Sequence, residues 1–292
     1  MFSFHLLLNV IVAGILLGGF YAAVSLGITL AFGLLNVVNI AHPAFVILGS
    51  YAAFVVNSRF GLDPILAGLL FMPVFFLLGI GVYRIYYASF EKRAEESLRG
   101  LVFFFGIIFI IEVSLSLQYG VDYRSVHAAY VGDSFRLGPI ELAFRLAIPC
   151  AMALVLTLAL HLFLSRTFYG RAVKAVSQDH LALRLMGADP VRIKGLAFGI
   201  AIATASLAGA LLIMIGPVEP SIGREYIGRV FAIAVLGGMG SIGGTLVAAL
   251  ILGVLESLTS TFYGPSWALA VSFGILLLVL AVRPSGLVGR AG

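Results

Sequence analysis

Long uninterrupted apolar runs dominate this chain, and they limit its fold more than any other feature. They cover residues 6–30, 37–56, 65–82, 101–117, 146–164, 196–215, 227–235, 245–258 and 267–282. A helix crosses the hydrocarbon core of a bilayer with roughly 20 apolar residues. Inside lipid the backbone must pair within its own segment or within a closed barrel. The runs are continuous rather than alternating, which argues against a barrel. With 61% hydrophobic and only 11% charged residues, the chain lies far from the roughly one-quarter charged composition of soluble domains. The expected fold is an all-α polytopic membrane protein with about eight crossings. The run 227–235 is too short to span and reads as half a helix or a re-entrant piece. Residues 1–292 form a single transmembrane domain, with no soluble second domain.

The charges lie between the runs, which gives the chain an orientation. Arg84, Lys92, Arg93 and Arg99 share one loop, Arg166, Arg171, Lys174, Arg184, Arg192 and Lys194 share another, and Arg283 and Arg290 close the chain. The positive-inside rule places these three regions in the cytoplasm. Loops 118–141 and 217–228 then face outside, and so does the N-terminus if the first two runs are separate crossings. Membrane orientation accounts for the net charge of +5 better than nucleic-acid binding does. The lone Cys150 excludes an internal disulfide and a CxxC metal site. No metal or cofactor is expected on this chain. No basic residue precedes Arg59, so the n-region of a cleavable signal peptide is missing. The phosphate-cradling pattern GxxxxGK[ST] is also missing, so any ATP chemistry must come from another chain.

Two apolar stretches are interrupted. In LLNVVNIAHPAFVILGSY, Asn36, Asn39, His42 and Pro43 compete with or remove helical hydrogen bonds. Such backbone persists at membrane depth only where protein buries it or a cavity borders it. It reads equally as a broken helix beside a solute pathway, its half-helix N-terminus facing an anionic group, or as a short interfacial loop. The second interruption is GGMGSIGG, with Gly237, Gly238, Gly240, Gly243 and Gly244. It formally contains GxGxxG, but no βαβ unit surrounds it, so a dinucleotide site is rejected. A turn between a half-helix and a full helix fits better, with tight helix packing as the plainer reading. The Gly14/Gly18 and Gly195/Gly199 pairs read as packing glycines. Glu112 and Glu256 lie inside apolar runs, where a charge costs on the order of +3 kcal/mol. A polar anchor between helices is favoured over a proton or solute relay. An intramembrane hydrolase has no supporting pattern.

Residues 166–194, RTFYGRAVKAVSQDHLALRLMGADPVRIK, form a basic island between two apolar runs. Gly170 and Gly187 bracket it, and apolar Ala172, Val173, Val176, Leu183 and Leu185 alternate with charged residues. This pattern predicts two short amphipathic helices at the cytoplasmic surface. Asp189-Pro190 turns the chain into the next helix. The island reads either as a docking point for another protein or as a lipid-facing loop.

Four stretches together resemble the membrane subunit of branched-chain amino-acid ABC importers, the LivH type: GGFYAAVSLGITLAFGLLNVVNIAHPAF, RTFYGRAVKAVSQDHLALRLMG, FAIAVLGGMGSIGGTLVAALILGVLES and RPSGLVGR. They occur in order across nearly the whole chain. The family commonly has Gly where this chain has Pro43, and 91–98 lacks the usual arginine–proline pattern. The resemblance implies a permease driven by two separate ABC ATPase subunits, paired with a LivM-like subunit or itself. A periplasmic binding protein would deliver a small solute, and the chain would sit among lipid in the inner membrane. It makes residues 166–194 the ATPase coupling loop, with Gly170, Arg171, Lys174, Ala182 and Gly187 as its key positions. Asn36, Asn39, His42, Pro43, Gly237, Gly238, Gly240 and Gly243 become the pathway candidates. Relatives also carry urea, short amides and other amino acids. A carrier of a different class, coupled to ions through Glu112 and Glu256, stays open on the residues alone.

Overall fold

The computed structural model describes residues 4–91, 96–128, 130–138, 140–282 and 286–287. Lys92, Arg93, Arg283 and Arg290 of the charge pattern lie outside them. Eleven helices follow in order: α1 Phe4–Gly33, α2 His42–Phe60, α3 Pro64–Ser89, α4 Glu96–Tyr119, α5 Phe144–Arg166, α6 Phe168–Gln178, α7 His180–Leu185, α8 Pro190–Ile215, α9 Gly223–Gly237, α10 Ile242–Phe262 and α11 Ser266–Val282. Eight of them are long and apolar enough to cross a membrane. α9 is not, at 15 residues, as its short apolar run leads one to expect. Among the described residues, the one departure from an all-helical chain is a small antiparallel hairpin, β1 Ser134–Leu137 with β2 Ile140–Ala143, in the loop before α5.

α8 is the axis of the bundle. Its face from Ala197 to Met214 is buried almost throughout, because α1, α2 and α3 all pack on it. Small residues allow the close approach. Gly79 meets Gly199 and Ile202, and Gly68 meets Leu207 and Ala210, so α3 and α8 run antiparallel. Gly14 meets Val254 and Gly18 meets Ala249 and Leu250, which makes α1 antiparallel to α10. The GxxxG pairs are therefore packing glycines. α4 and α11 keep most of their apolar surface on the outside.

The two ends of the bundle differ in charge. Arg84, Arg99 and the 166–194 segment share one end, where Lys194 bonds Glu91 at 2.5 Å and Gly100 packs on Tyr86. Arg124, Arg136 and Arg145 share the other. There Arg124 bridges Val218, and Asn57 bonds the His127 backbone at 3.0 and 3.1 Å. Tyr130 donates to Asp63. Burial and that carboxylate push the Tyr130 phenol above its usual pKa, which holds it as a donor. Of the segment 217–228, read from sequence as loop, residues from Gly223 onward form α9. Arg224 and Arg229 thus lie on a helix that descends into the bundle.

Candidate functional site

The first interruption is a true break. α1 ends at Gly33, and its last turn closes through Leu34 N–H to Leu30 and Val37 N–H to Ala31. Asn36 takes φ 57°, a left-handed state that Asn tolerates better than most residues. The Asn39 carbonyl oxygen accepts the Ala41 N–H at 3.1 Å, an Asx turn that replaces helix. Pro43 then sits in the first turn of α2, where its missing N–H costs nothing.

His42 Nε2 lies 3.0 Å from the Val24 carbonyl, nine residues back from the end of α1. At 1.5 Å per residue, the chain climbs about 13 Å before helix resumes. A carbonyl only accepts, so Nε2 carries the proton and Nδ1 is left as an acceptor. His42 Nδ1, Asn39 Nδ2 and Ser25 Oγ are all buried without a protein partner among the described residues. A dry orphan of this kind costs about 1–3 kcal/mol. Water or a polar solute would satisfy all three.

The glycine turn meets this break. Gly238 and Gly240 take φ 87° and 83°, conformations that a side chain disfavours. Gly33 rests directly on Gly240, and a Cβ added at Gly33 would lie 1.9 Å from the Gly240 nitrogen. One turn deeper, the Thr29 and Thr245 hydroxyls bond at 2.8 Å. Gly237 packs on Gly244, whereas a Cβ at Gly243 would meet nothing within 4 Å. The structure therefore brings Gly240 against the end of α1, whereas Gly237 packs on Gly244 and Gly238 lies beside Gly286. Asn39, His42 and Pro43 lie buried above them, Asn36 and Gly243 are exposed, and packing offers no reason for Gly243.

Residues 166–194 fold as two short helices, as the pattern predicts. Thr167 caps α6 by accepting the Gly170 N–H at 3.0 Å. Gly170 has no room for a side chain against Phe163 and Leu164. Ala172, Val173, Val176 and Leu183 face the bundle, with α6 packed on α5 and α8. Gly187 ends the hairpin at φ 81°, and Asp189 caps α8 by accepting the Val191 N–H. The other face holds Arg171, Lys174 and Ala182 in the open, with Phe168, Tyr169, Leu185 and Met186 more than half exposed. The hairpin continues α5 at one end and leads into α8 at the other, and it packs on both.

Sequence reasoning missed an ion-pair system on α9. Arg229 Nε lies 3.1 and 3.3 Å from the two Glu256 oxygens. Tyr21 donates to the same carboxylate at 2.6 Å, and Ser272 donates to it as well. Glu256 thus ties α1, α9 and α11 to α10. Five residues earlier, Arg224 grips Glu112 of α4 with two bonds of 2.7 and 2.8 Å. Each intramembrane glutamate is paired with an arginine, which supports the anchor reading over the relay. The signal was available: a glutamate in an apolar span requires a partner. Its identity depends on α9 descending beside α10, which no local pattern shows.

These features define a multi-pass helical membrane protein with two broken helices joined at its core and an amphipathic hairpin fixed to one end. The family model described as branched-chain amino acid transport system / permease component matches residues 10–280. The chain belongs to that family. The high-affinity branched-chain amino acid transport system permease protein BraD of Pseudomonas aeruginosa is 31% identical, with 97% of this chain and 96% of BraD covered. The corresponding LivH of Escherichia coli K12 is 32% identical, with 95% and 94% covered. The Escherichia coli K12 permease protein LivM is 30% identical over 91% of this chain and 67% of its own length.

Proposed function

We propose that this chain is one of two membrane subunits of an ABC importer in the inner membrane, carrying branched-chain or chemically similar amino acids. A LivM-like subunit or a second copy completes the pore, a periplasmic binding protein delivers solute to the outer end, and two ATPase subunits dock inside. The observation that carries this reading is the α6–α7 hairpin. It places an apolar and basic face in the open while its other face is packed on α5 and α8. ATP binding by the partners pushes on this face. The bundle then shifts between two packings that differ in affinity for solute. The Gly33–Gly240 contact lies where the broken helices meet, Asn39 and His42 lie buried above it, and together they border the path. The orphaned polar atoms of Ser25, Asn39 and His42 are its polar lining.

The test is the assembled transporter in proteoliposomes with the variant Arg171→Glu/Lys174→Glu. Solute-stimulated ATPase activity is expected to fall at least tenfold, while the chain still inserts and pairs with its membrane partner. Unchanged stimulation would overturn the docking assignment. Solute uptake by the chain alone, driven by an ion gradient without ATPases, would overturn the ABC mechanism.

A further inference from the structure

The Arg229–Glu256 pair borders a cavity of about 350 Å³. One end of α10, the α10–α11 turn at Pro265, the start of α5 at Leu146 and the first half of α1 line it. All of these lie toward the end that carries the Asn57–His127 and Arg124–Val218 contacts, the end that the proposed orientation turns outward. Its volume falls at the lower end of the roughly 300–1,000 Å³ typical of small-molecule sites.

A guanidinium has five N–H donors. Arg229 gives Nε to Glu256, and Nη1 reaches the Glu225 carbonyl only at 3.4 Å. Nη2 has no bond among the described residues. The Tyr226 and Tyr21 rings hold the guanidinium plane at 5.2 and 6.0 Å. Ser260 and Thr261 add hydroxyl-bearing residues to the lining, and Ala13, Leu17 and Leu146 add apolar ones.

We infer that this cavity is an outward-facing reception site for a zwitterionic α-amino acid, with its carboxylate on the open edge of Arg229, its ammonium toward Glu256 and its side chain against the apolar lining residues. This inference rests on the amino-acid reading above. The charge pattern carries the selectivity. A neutral amide gains nothing from the pair. An amine without a carboxylate meets Arg229, and a carboxylate without an amine meets Glu256, so each single charge is repelled on one side. A zwitterion offers both charges, so Arg229 and Glu256 can part to admit it and neither is left buried without a counter-charge.

Trp267 is the only tryptophan; it is exposed and lies between the lining residues Pro265 and Ala268. In the assembled transporter, with the partner chains' tryptophans replaced by phenylalanine, its fluorescence reports on the cavity, and L-leucine is expected to change Trp267 emission saturably. Leucinamide and isovalerate, which each lack one charge, should bind at least tenfold more weakly. Ser260→Phe leaves Arg229 and Glu256 unsubstituted and fills the cavity from one turn along α10, and should abolish the response and cut L-leucine uptake at least tenfold in complexes that assemble normally. Equal responses to all three compounds, or full uptake by Ser260→Phe, would overturn the site and leave the amino-acid reading standing. No L-leucine uptake by the unmodified transporter would overturn both.

Discussion

Helix α9 carries two arginine–glutamate pairs five residues apart, and they rank in opposite order by geometry and by consequence. Arg224–Glu112 has the better geometry, two short bonds from one guanidinium to one carboxylate, and Arg224 also lies 5.4 Å from the Phe109 ring centre. Yet 54% of the Arg224 side chain is exposed. Arg229–Glu256 is a longer, side-on contact, with 12% and 3% of the two side chains exposed. Exposed pairs contribute little because solvent screens them and ordering two long side chains costs entropy. Buried pairs contribute little net stability too, but losing one partner strands a charge in a medium that cannot solvate it. Burial, rather than bond length, decides which pair the fold cannot lose.

The sharpest way to break this comparison is Arg229→Met. It leaves Glu256 buried without its cation and should cost about 3–5 kcal/mol, read as a large drop in unfolding midpoint in detergent. The double variant Arg229→Met/Glu256→Met should recover most of that loss, since an apolar pair of similar volume needs no counter-charge. If the double variant is as damaged as the single one, stranded charge is not the cause. Tyr21→Phe is the intermediate case. It removes one hydrogen bond to a charged group while Arg229 and Ser272 remain, and should cost about 1.5–3 kcal/mol.

The contrast between the pairs also marks where sequence reading stops. The crossings were legible because lipid imposes a length and a composition on each helix. The half-helix α9 followed from a run too short to span. The α6–α7 hairpin followed from its amphipathic pattern and its capping residues, Thr167 and Asp189. The breaks at 34–41 and 238–241 were visible as Asn, Pro and Gly clusters. That they touch, through Gly33 on Gly240, was not legible, because the contact joins residues two hundred positions apart. Arg224 reads as part of the outer loop 217–228 because α9 begins at Gly223, earlier than its apolar run. Three charged or polar residues, Arg224, Glu225 and Tyr226, follow Gly223 at the start of that helix, and hydropathy alone reads them as loop. Glu256 signalled the need for a partner without identifying it.

Arg224→Met is the smallest expected effect. In the isolated chain it should cost less than about 1 kcal/mol, and a double-mutant cycle with Glu112→Gln should give a coupling that shrinks as salt rises. The same cycle in the assembled transporter sharpens the comparison further. Arg224 lies in the first turn of α9, beside an α4 that keeps Phe105, Phe109, Ile110 and Val113 exposed. If a second membrane subunit covers this face, the pair loses its solvent. Its coupling should then rise and lose its salt dependence, and Arg224→Met should approach the cost of Arg229→Met. If the coupling is equal in the two states, the α4 face stays open to lipid and solvent, and the second subunit packs elsewhere.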